Sequence, residues 1–155
     1  MKAILGVIAG IALWVGAAAA QDVPAGFEEI GRFEVTIAGA PETFVGAREV
    51  ATGRSYFTVQ NIAGMQSINV AGKSIAPGAG ARIVSVLIGP FRGDIPDEAT
   101  FELYDGANIL AANQDVGLSI ALSDVTLGDD GALSFAFSGQ VVAALRTSAG
   151  MLAAE

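Results

Sequence analysis

The clearest alternation of hydrophobic and polar positions lies in residues 118–145. Leu133, Phe135 and Phe137 alternate with serine and alanine, and this period of two predicts a strand with one buried face. A second alternating stretch precedes it, and residues 128–131 between them read Gly-Asp-Asp-Gly, which suits a tight antiparallel turn. The pattern therefore predicts a long β-hairpin whose apolar face needs a second layer.

The first strand of this hairpin changes its parity. Even-numbered positions are apolar up to Leu122, whereas odd-numbered positions are apolar from Val125. Because one extra residue reverses the faces of a strand, the change predicts a β-bulge near Ser123 or Asp124.

Other alternating or apolar stretches predict six further strands. They are residues 32–37, 43–50, 54–62, 67–70, 83–88 and 100–104. Residues 83–88 are apolar on both parities, so we expect a central strand covered on both faces. We expect a loop at residues 89–98, a short helix or an irregular strand at 107–116, and a loose end after Leu145.

Eight strands with short, glycine-rich connections indicate an all-β protein. We expect an antiparallel β-sandwich, with a closed β-barrel as the alternative.

The first twenty residues have the composition of a secretory signal peptide. Lys2 precedes an apolar run over residues 3–20, and the small residues at its end suit cleavage after Ala20. A retained membrane anchor is the alternative, although the run is near the lower limit for a span. Cleavage would leave residues 21–155 as one domain, in a periplasmic or secreted protein of bacterial type.

The chain is acidic, with 16 Asp and Glu residues against 8 Lys and Arg residues. Its net charge of −8 becomes −9 if Lys2 leaves with the leader. Such a charge repels phosphate backbones, so nucleic acid is not an expected partner. After removal of the leader, no second apolar stretch is long enough to give a stable membrane span.

The chain contains neither histidine nor cysteine. It therefore has no Ser-His-Asp triad, no cysteine nucleophile, and no histidine or cysteine ligand for zinc or haem. We expect a protein that is not an enzyme and has no cofactor. The alternative is a hydrolase that uses a pair of carboxylates, for which Asp97 and Glu98 are the candidates.

Acidic residues in loops could also bind calcium through oxygen ligands. Asp94, Asp97 and Glu98 are the main candidates. A second set lies around the hairpin turn and consists of Asp124, Asp129 and Asp130. Neither set has the spacing of an EF-hand loop.

Two tyrosines are candidates for contact with a small ligand. Tyr56 and Tyr104 lie on the polar parity of their strands, where exposed rings can stack on a sugar or a peptide. Arg92, in the predicted loop, is a third candidate. The phenylalanines Phe33, Phe57, Phe101, Phe135 and Phe137 have the parity of core residues.

The first functional hypothesis is an exported, non-enzymatic binding or scaffold module of the bacterial cell envelope. Its partner would be a protein or a glycan of the envelope, and one version pairs with a protein partner through an edge strand. The second hypothesis is a module that binds a small ligand, or a carbohydrate with the help of calcium.

Overall fold

The structure is a computed structural model of the 155-residue chain. It describes residues 5–14, 23–75, 82–92, 95–96, 99–127 and 132–154. Over these residues the chain is all-β, and a single 3-10 turn lies at Gln114–Val116. None of the described residues belongs to a helix with the length and apolar character needed to cross a membrane.

The described residues form twelve strands. They are β1 (Leu5–Trp14), β2 (Phe27–Ile37), β3 (Ala40–Glu49), β4 (Phe57–Ile62), β5 (Met65–Ser74), β6 (Ile83–Arg92), β7 (Ile95–Pro96), β8 (Ala99–Asp105), β9 (Asn108–Ala112), β10 (Ile120–Leu127), β11 (Leu133–Thr147) and β12 (Gly150–Ala153).

These strands form one curled antiparallel sheet. Its hydrogen-bonded order is β4-β5-β3-β2-β1-β11-β9-β8-β6-β7, and β10 and β12 each pair with β11. An additional pairing joins β5 to β6, from Gln66 with Phe91 to Lys73 with Ile83. The long strand β11 therefore holds β1, β9, β10 and β12, while β5 and β6 connect strands that are distant along this order.

The inside of the curl is filled by apolar side chains. Fully buried members come from most of the strands, among them Ile8, Phe33, Phe44, Ile68, Val84, Phe101, Leu133 and Phe135. Aromatic rings dominate the centre, where Phe135 lies 6.0 Å from Phe137 and Phe101 lies 5.8 Å from Phe137 between ring centroids. Burying such rings supplies much of the hydrophobic stabilisation of a domain.

The predicted hairpin is confirmed as strands β10 and β11. Their register shifts between Ser123 and Thr126, as the change of parity predicts. Asp124 takes a φ of 54° at this β-bulge, a left-handed conformation that aspartate adopts more readily than most residues. The turn at residues 128–131 lies outside the described part of the chain.

The prediction that residues 83–88 are covered on both faces is wrong. Val84, Val86 and Ile88 are fully buried, but Leu87 on the other face is 41% exposed. An apolar run on both parities is thus compatible with a strand whose second face meets solvent.

Strands extend into two regions that the sequence predicts to be irregular. The expected loop at residues 89–98 begins instead with the continuation of β6 to Arg92, which pairs with β7. The expected loose end after Leu145 is also wrong, since β11 continues to Thr147 and β12 returns along it. Residues 107–116 form β9 followed by the 3-10 turn.

The apolar run predicted as a leader contributes strand β1. This strand pairs with β11 from Leu5 to Trp14 and with β2 from Ile8 to Leu13, antiparallel on both edges. Cleavage after Ala20 stays a prediction. In the folded full chain, β1 separates β2 from β11.

Candidate functional site

Tyr56 stands where two neighbouring strands diverge. Near the end of β5, strands β3 and β5 pair directly, Val45 with Lys73. Further along, the backbone of Tyr56 lies between them: its N–H donates to Ala47 O at 3.1 Å, and its carbonyl accepts from Ala71 N at 2.9 Å. We call this branch point the fork, and it is formed by Ala47, Tyr56 and Ala71.

The side chain of Tyr56 points to the outer face of the sheet. Its neighbour Phe57 packs against the core, and successive residues of an extended chain point to opposite faces. Tyr56 is accordingly 42% exposed. The parity argument from the sequence thus agrees with its position.

An open cavity of about 410 Å³ lies on this outer face. We call it the outer groove, and its lining residues are Val23, Pro24, Phe27, Val45, Ala47, Tyr56, Lys73, Ser74 and Ile75. Val45 and Ala47 are buried and come from β3, where they alternate with the core residue Phe44. Their small apolar side chains form the floor, and the rings of Phe27 and Tyr56 stand among the lining residues.

The segment before β2 covers one end of the outer groove. Phe27 N donates to Pro24 O at 3.1 Å, which closes a turn, and Val50 N donates to Gly26 O at 2.9 Å. These two hydrogen bonds hold Val23 and Pro24 beside the end of β3. Residues 23–26 are therefore hydrogen-bonded to the sheet.

One cation lies among the nine described residues that line the outer groove. Lys73 is exposed, and it is the partner of Val45 across β3 and β5, which places both residues on the same face. Lys73 and Lys2 are the two lysines of the chain. In a protein with a net charge of −8, this cation gives the outer groove a local charge of opposite sign to the whole.

The neighbouring carboxylate is already paired with cationic and hydroxyl groups. Ser74 Oγ donates to Glu42 Oε1, and Arg82 Nη1 donates to Glu42 Oε2. Arg82 Nε also lies 3.4 Å from Asp105 Oδ2. Arg82 is shared between Glu42 and Asp105, so its guanidinium partly neutralises the carboxylate that is bonded to Ser74.

A second cavity of about 200 Å³ adjoins the outer groove and shares Phe27, Ala47 and Tyr56 with it. Its other lining residues include Arg54 and Glu49. Tyr56 therefore contributes to both cavities, and Arg54 adds a second cation beyond it.

Tyr104, the other tyrosine predicted as a ligand contact, lies in a hydrogen-bonded cluster. Its hydroxyl donates to Glu102 and accepts from Arg146. The guanidinium carbon of Arg146 lies 5.8 Å from the Tyr104 ring centroid, within the range of a cation–π contact. Asn113 Nδ2 donates to the other oxygen of Glu102 at 3.3 Å. This cluster joins β8 to β11, and Tyr104 lines neither of the two cavities beside Tyr56.

The environment of Tyr104 changes its acidity. Burial raises the pKa of Tyr104 above its usual value of 10.0, and the carboxylate of Glu102 raises this pKa further. Arg146 acts in the opposite direction. The net effect favours the neutral phenol, which serves as a hydrogen-bond donor within the protein.

The remaining predicted site residues lie elsewhere. Arg92 is at the end of β6, where its backbone pairs with Ile95 of β7. The metal candidates Asp94, Asp97 and Glu98 are outside the described residues. Within the described part of the chain, no group of three or more acidic side chains is placed to hold a metal ion.

Sequence reasoning missed Phe27 and Lys73 as residues of one site. Lys73 lies at an outward-facing position of β5, and the alternation of the sequence could have predicted this orientation. Phe27, however, precedes the predicted first strand, and its approach to Tyr56 depends on the fork. No short sequence pattern reports such a non-local register.

Comparison with known proteins finds no family model, no curated protein and no solved structure that matches this chain. Its function is therefore inferred from its own residues.

Proposed function

We propose that this chain is an exported, non-enzymatic binding protein of the bacterial cell envelope and that the outer groove is its ligand site. The observation that carries the proposal is the convergence of Tyr56, Phe27 and Lys73 on one cavity of about 410 Å³. This volume lies within the range of small-molecule sites, which are commonly apolar with a few polar groups that fix orientation.

The lining chemistry favours a ring-bearing carboxylate. Phe27 and Tyr56 offer ring faces for stacking, and Val45 and Ala47 offer an apolar floor. Lys73 supplies a positive charge for the carboxylate, while Ser74 lies at the same end of β5. Two classes of compound combine a ring with a carboxylate in this way. They are the acidic sugars of envelope glycans and the aromatic carboxylates.

We further infer that, while β1 is in place, the curled sheet closes into a barrel rather than a sandwich. The support is the path β5-β3-β2-β1-β11-β9-β8-β6, whose last strand pairs with its first. A barrel of eight strands is just wide enough for side chains to fill it. Buried rings such as Phe33, Phe44 and Phe101 occupy the interior, which favours a ligand site on the outer face.

Thermal unfolding with small probes tests the proposal. Purified protein is heated with glucuronate or benzoate, and with glucose or benzyl alcohol as the matched neutral compounds. A ligand present at 100 times its Kd adds about 2.7 kcal/mol of stability. We expect at least one carboxylate to raise the Tm and its neutral counterpart to have no such effect.

Variants locate the binding. Tyr56→Ala removes a stacking face, and Lys73→Met removes the charge, so each should weaken binding by about tenfold. Val59→Ala is the control for the first, because Val59 is an exposed residue of the neighbouring strand β4. Arg48→Met controls for loss of a surface cation. Equal binding by all four variants would place the ligand away from the outer groove.

A further inference from the structure

Strand β1 fills a gap whose two walls are other strands. It forms ten residue pairs with β11 and six with β2, so both of its edges are hydrogen-bonded. The same residues, 5–14, lie within the predicted leader. If the leader is removed after Ala20, the edges of β2 and β11 face each other across the width of one strand.

We propose that this gap between β2 and β11 is a strand-binding site of the processed protein. Its occupant is an extended apolar segment of a partner protein in the cell envelope. Such a segment would complete the sheet by main-chain hydrogen bonds, and side-chain positions would supply specificity. The inference rests on the proposed export with cleavage, and it is independent of any ligand in the outer groove.

Two aromatic rings from the walls of the gap meet beneath β1. Phe33 of β2 and Phe135 of β11 are both paired with Ala12 of β1. Their rings nevertheless meet beneath this strand, at 6.2 Å between centroids and with an interplanar angle of 74°. An aromatic floor thus remains when β1 leaves, and the edge-to-face contact joins the two walls.

Gly10 defines one feature of the segment that fits. It pairs with Val35 on one side and Phe137 on the other. A Cβ atom at this position would lie 2.6 Å from Phe137 Cε1 and 2.8 Å from the backbone oxygen of Glu34. The backbone oxygen cannot move without disturbing β2, so the position admits only glycine.

Ile8 defines the second feature. Its side chain is fully buried in the central core, two residues before Gly10 on the same face of the strand. Leaving this position empty exposes apolar surface. The occupant is therefore a segment with an aliphatic residue two positions before a glycine, running antiparallel to both β2 and β11.

Strand exchange in the full chain tests this inference. A protease recognition sequence is inserted between Ala19 and Ala20, the full chain is folded, and the protein is then cleaved. A fluorescent peptide of residues 4–15, with added lysines for solubility, competes with the cleaved strand for the gap. A matched peptide carries Gly10→Val. Fluorescence anisotropy measures uptake, and circular dichroism follows the fold.

We expect the native peptide to be taken up one to one and the Gly10→Val peptide to bind at least tenfold more weakly. Three results would each overturn the proposal. The first is equal uptake of both peptides. The second is no uptake of either peptide. This result is expected if β1 never leaves, or if β2 and β11 pair directly with each other. Cross-strand amide contacts in NMR spectra would show the direct pairing. The third is unfolding of the protein as soon as the fragment leaves.

The same experiment separates this site from the outer groove. Tyr56→Ala and Lys73→Met should leave peptide uptake within about twofold of the unchanged protein, since neither residue belongs to β1, β2 or β11. Loss of uptake in these variants would contradict the independence of the two sites. If none of the small probes binds at the outer groove, the peptide should still be taken up at the gap between β2 and β11.

Discussion

Phe33 and Phe135 meet edge to face beneath β1, although their strands are not neighbours in the sheet. Both rings are buried to within 1% of complete. The contact therefore joins the two strands on either side of β1, and with the contacts of Phe137 it makes a continuous aromatic layer at the centre of the core.

Truncation of Phe135 should be among the most destabilising single changes in this protein. Phe135→Ala removes contacts with both Phe33 and Phe137, and loss of a buried ring costs about 3–5 kcal/mol. Urea unfolding measures the change. Leu145→Ala on the same strand is the control, since Leu145 is exposed and should cost less than about 1 kcal/mol. Similar losses in both variants would contradict the described core.

Tyr104 should make stability depend on pH in the alkaline range. Its folded-state pKa is raised, chiefly by burial, so the neutral phenol is favoured by folding. This contribution is fully present below the unfolded pKa of about 10 and is lost as the pH rises through the higher folded value. We expect the free energy of unfolding to fall as the pH rises above about 10.

Tyr104→Phe supplies the comparison, because it removes the titrating group and keeps the ring. The difference in unfolding free energy between the unchanged protein and this variant should shrink as the pH rises. An identical dependence on pH in the two proteins would show that Tyr104 is not perturbed.

The β-bulge at Asp124 should prefer glycine. With a φ of 54°, this residue lies in the left-handed region, where a β-branched side chain is strained. Asp124→Val should lose about 1–2 kcal/mol, whereas Asp124→Gly should be neutral or slightly stabilising. Ser123→Val, one residue earlier and exposed, controls for the valine itself. Chemical denaturation of the three variants gives the order, and a stable Asp124→Val variant would argue against the bulge.

The last strand should depend on Asp115. Its Oδ2 accepts a hydrogen bond from Met151 N at 2.9 Å, which ties the 3-10 turn to β12. Loss of one such hydrogen bond costs about 1 kcal/mol, which is roughly a fivefold increase in the equilibrium constant for local opening. Asp115→Ala should therefore speed amide exchange in β12 by this factor and leave the amides of β6 unchanged. Asp115→Asn keeps an acceptor and should restore part of the protection.

Local patterns in the sequence were sufficient to predict many of the strands of the sheet. The parity of Leu133, Phe135 and Phe137 and the shift near Asp124 both report contacts made within one hairpin. The outward position of Tyr56 follows from the same rule. Each of these features depends on alternation over a few residues, which is the information that a strand pattern carries.

Features that depend on distant contacts were missed. Strand β1 lies in an all-apolar run, where alternation cannot be seen, so composition pointed only to a leader. Strand β12 has four residues, and its pairing with β11 has no local signal. The outer groove requires Phe27, Tyr56 and Lys73 to meet at the fork, and this depends on the non-local register of β3 with β5.

The most direct measurement of the proposed function is a map of amide chemical shifts during titration with glucuronate and with benzoate. The outer groove with the cavity that adjoins it, and the cluster around Tyr104, are the two regions of the described residues in which a tyrosine and a cation lie together. We predict saturable shifts at Tyr56, Lys73 and their neighbours on β3, with none at Tyr104 or Arg146. Shifts centred on Tyr104 and Arg146, or no saturable shifts with either carboxylate, would contradict the outer groove as the ligand site.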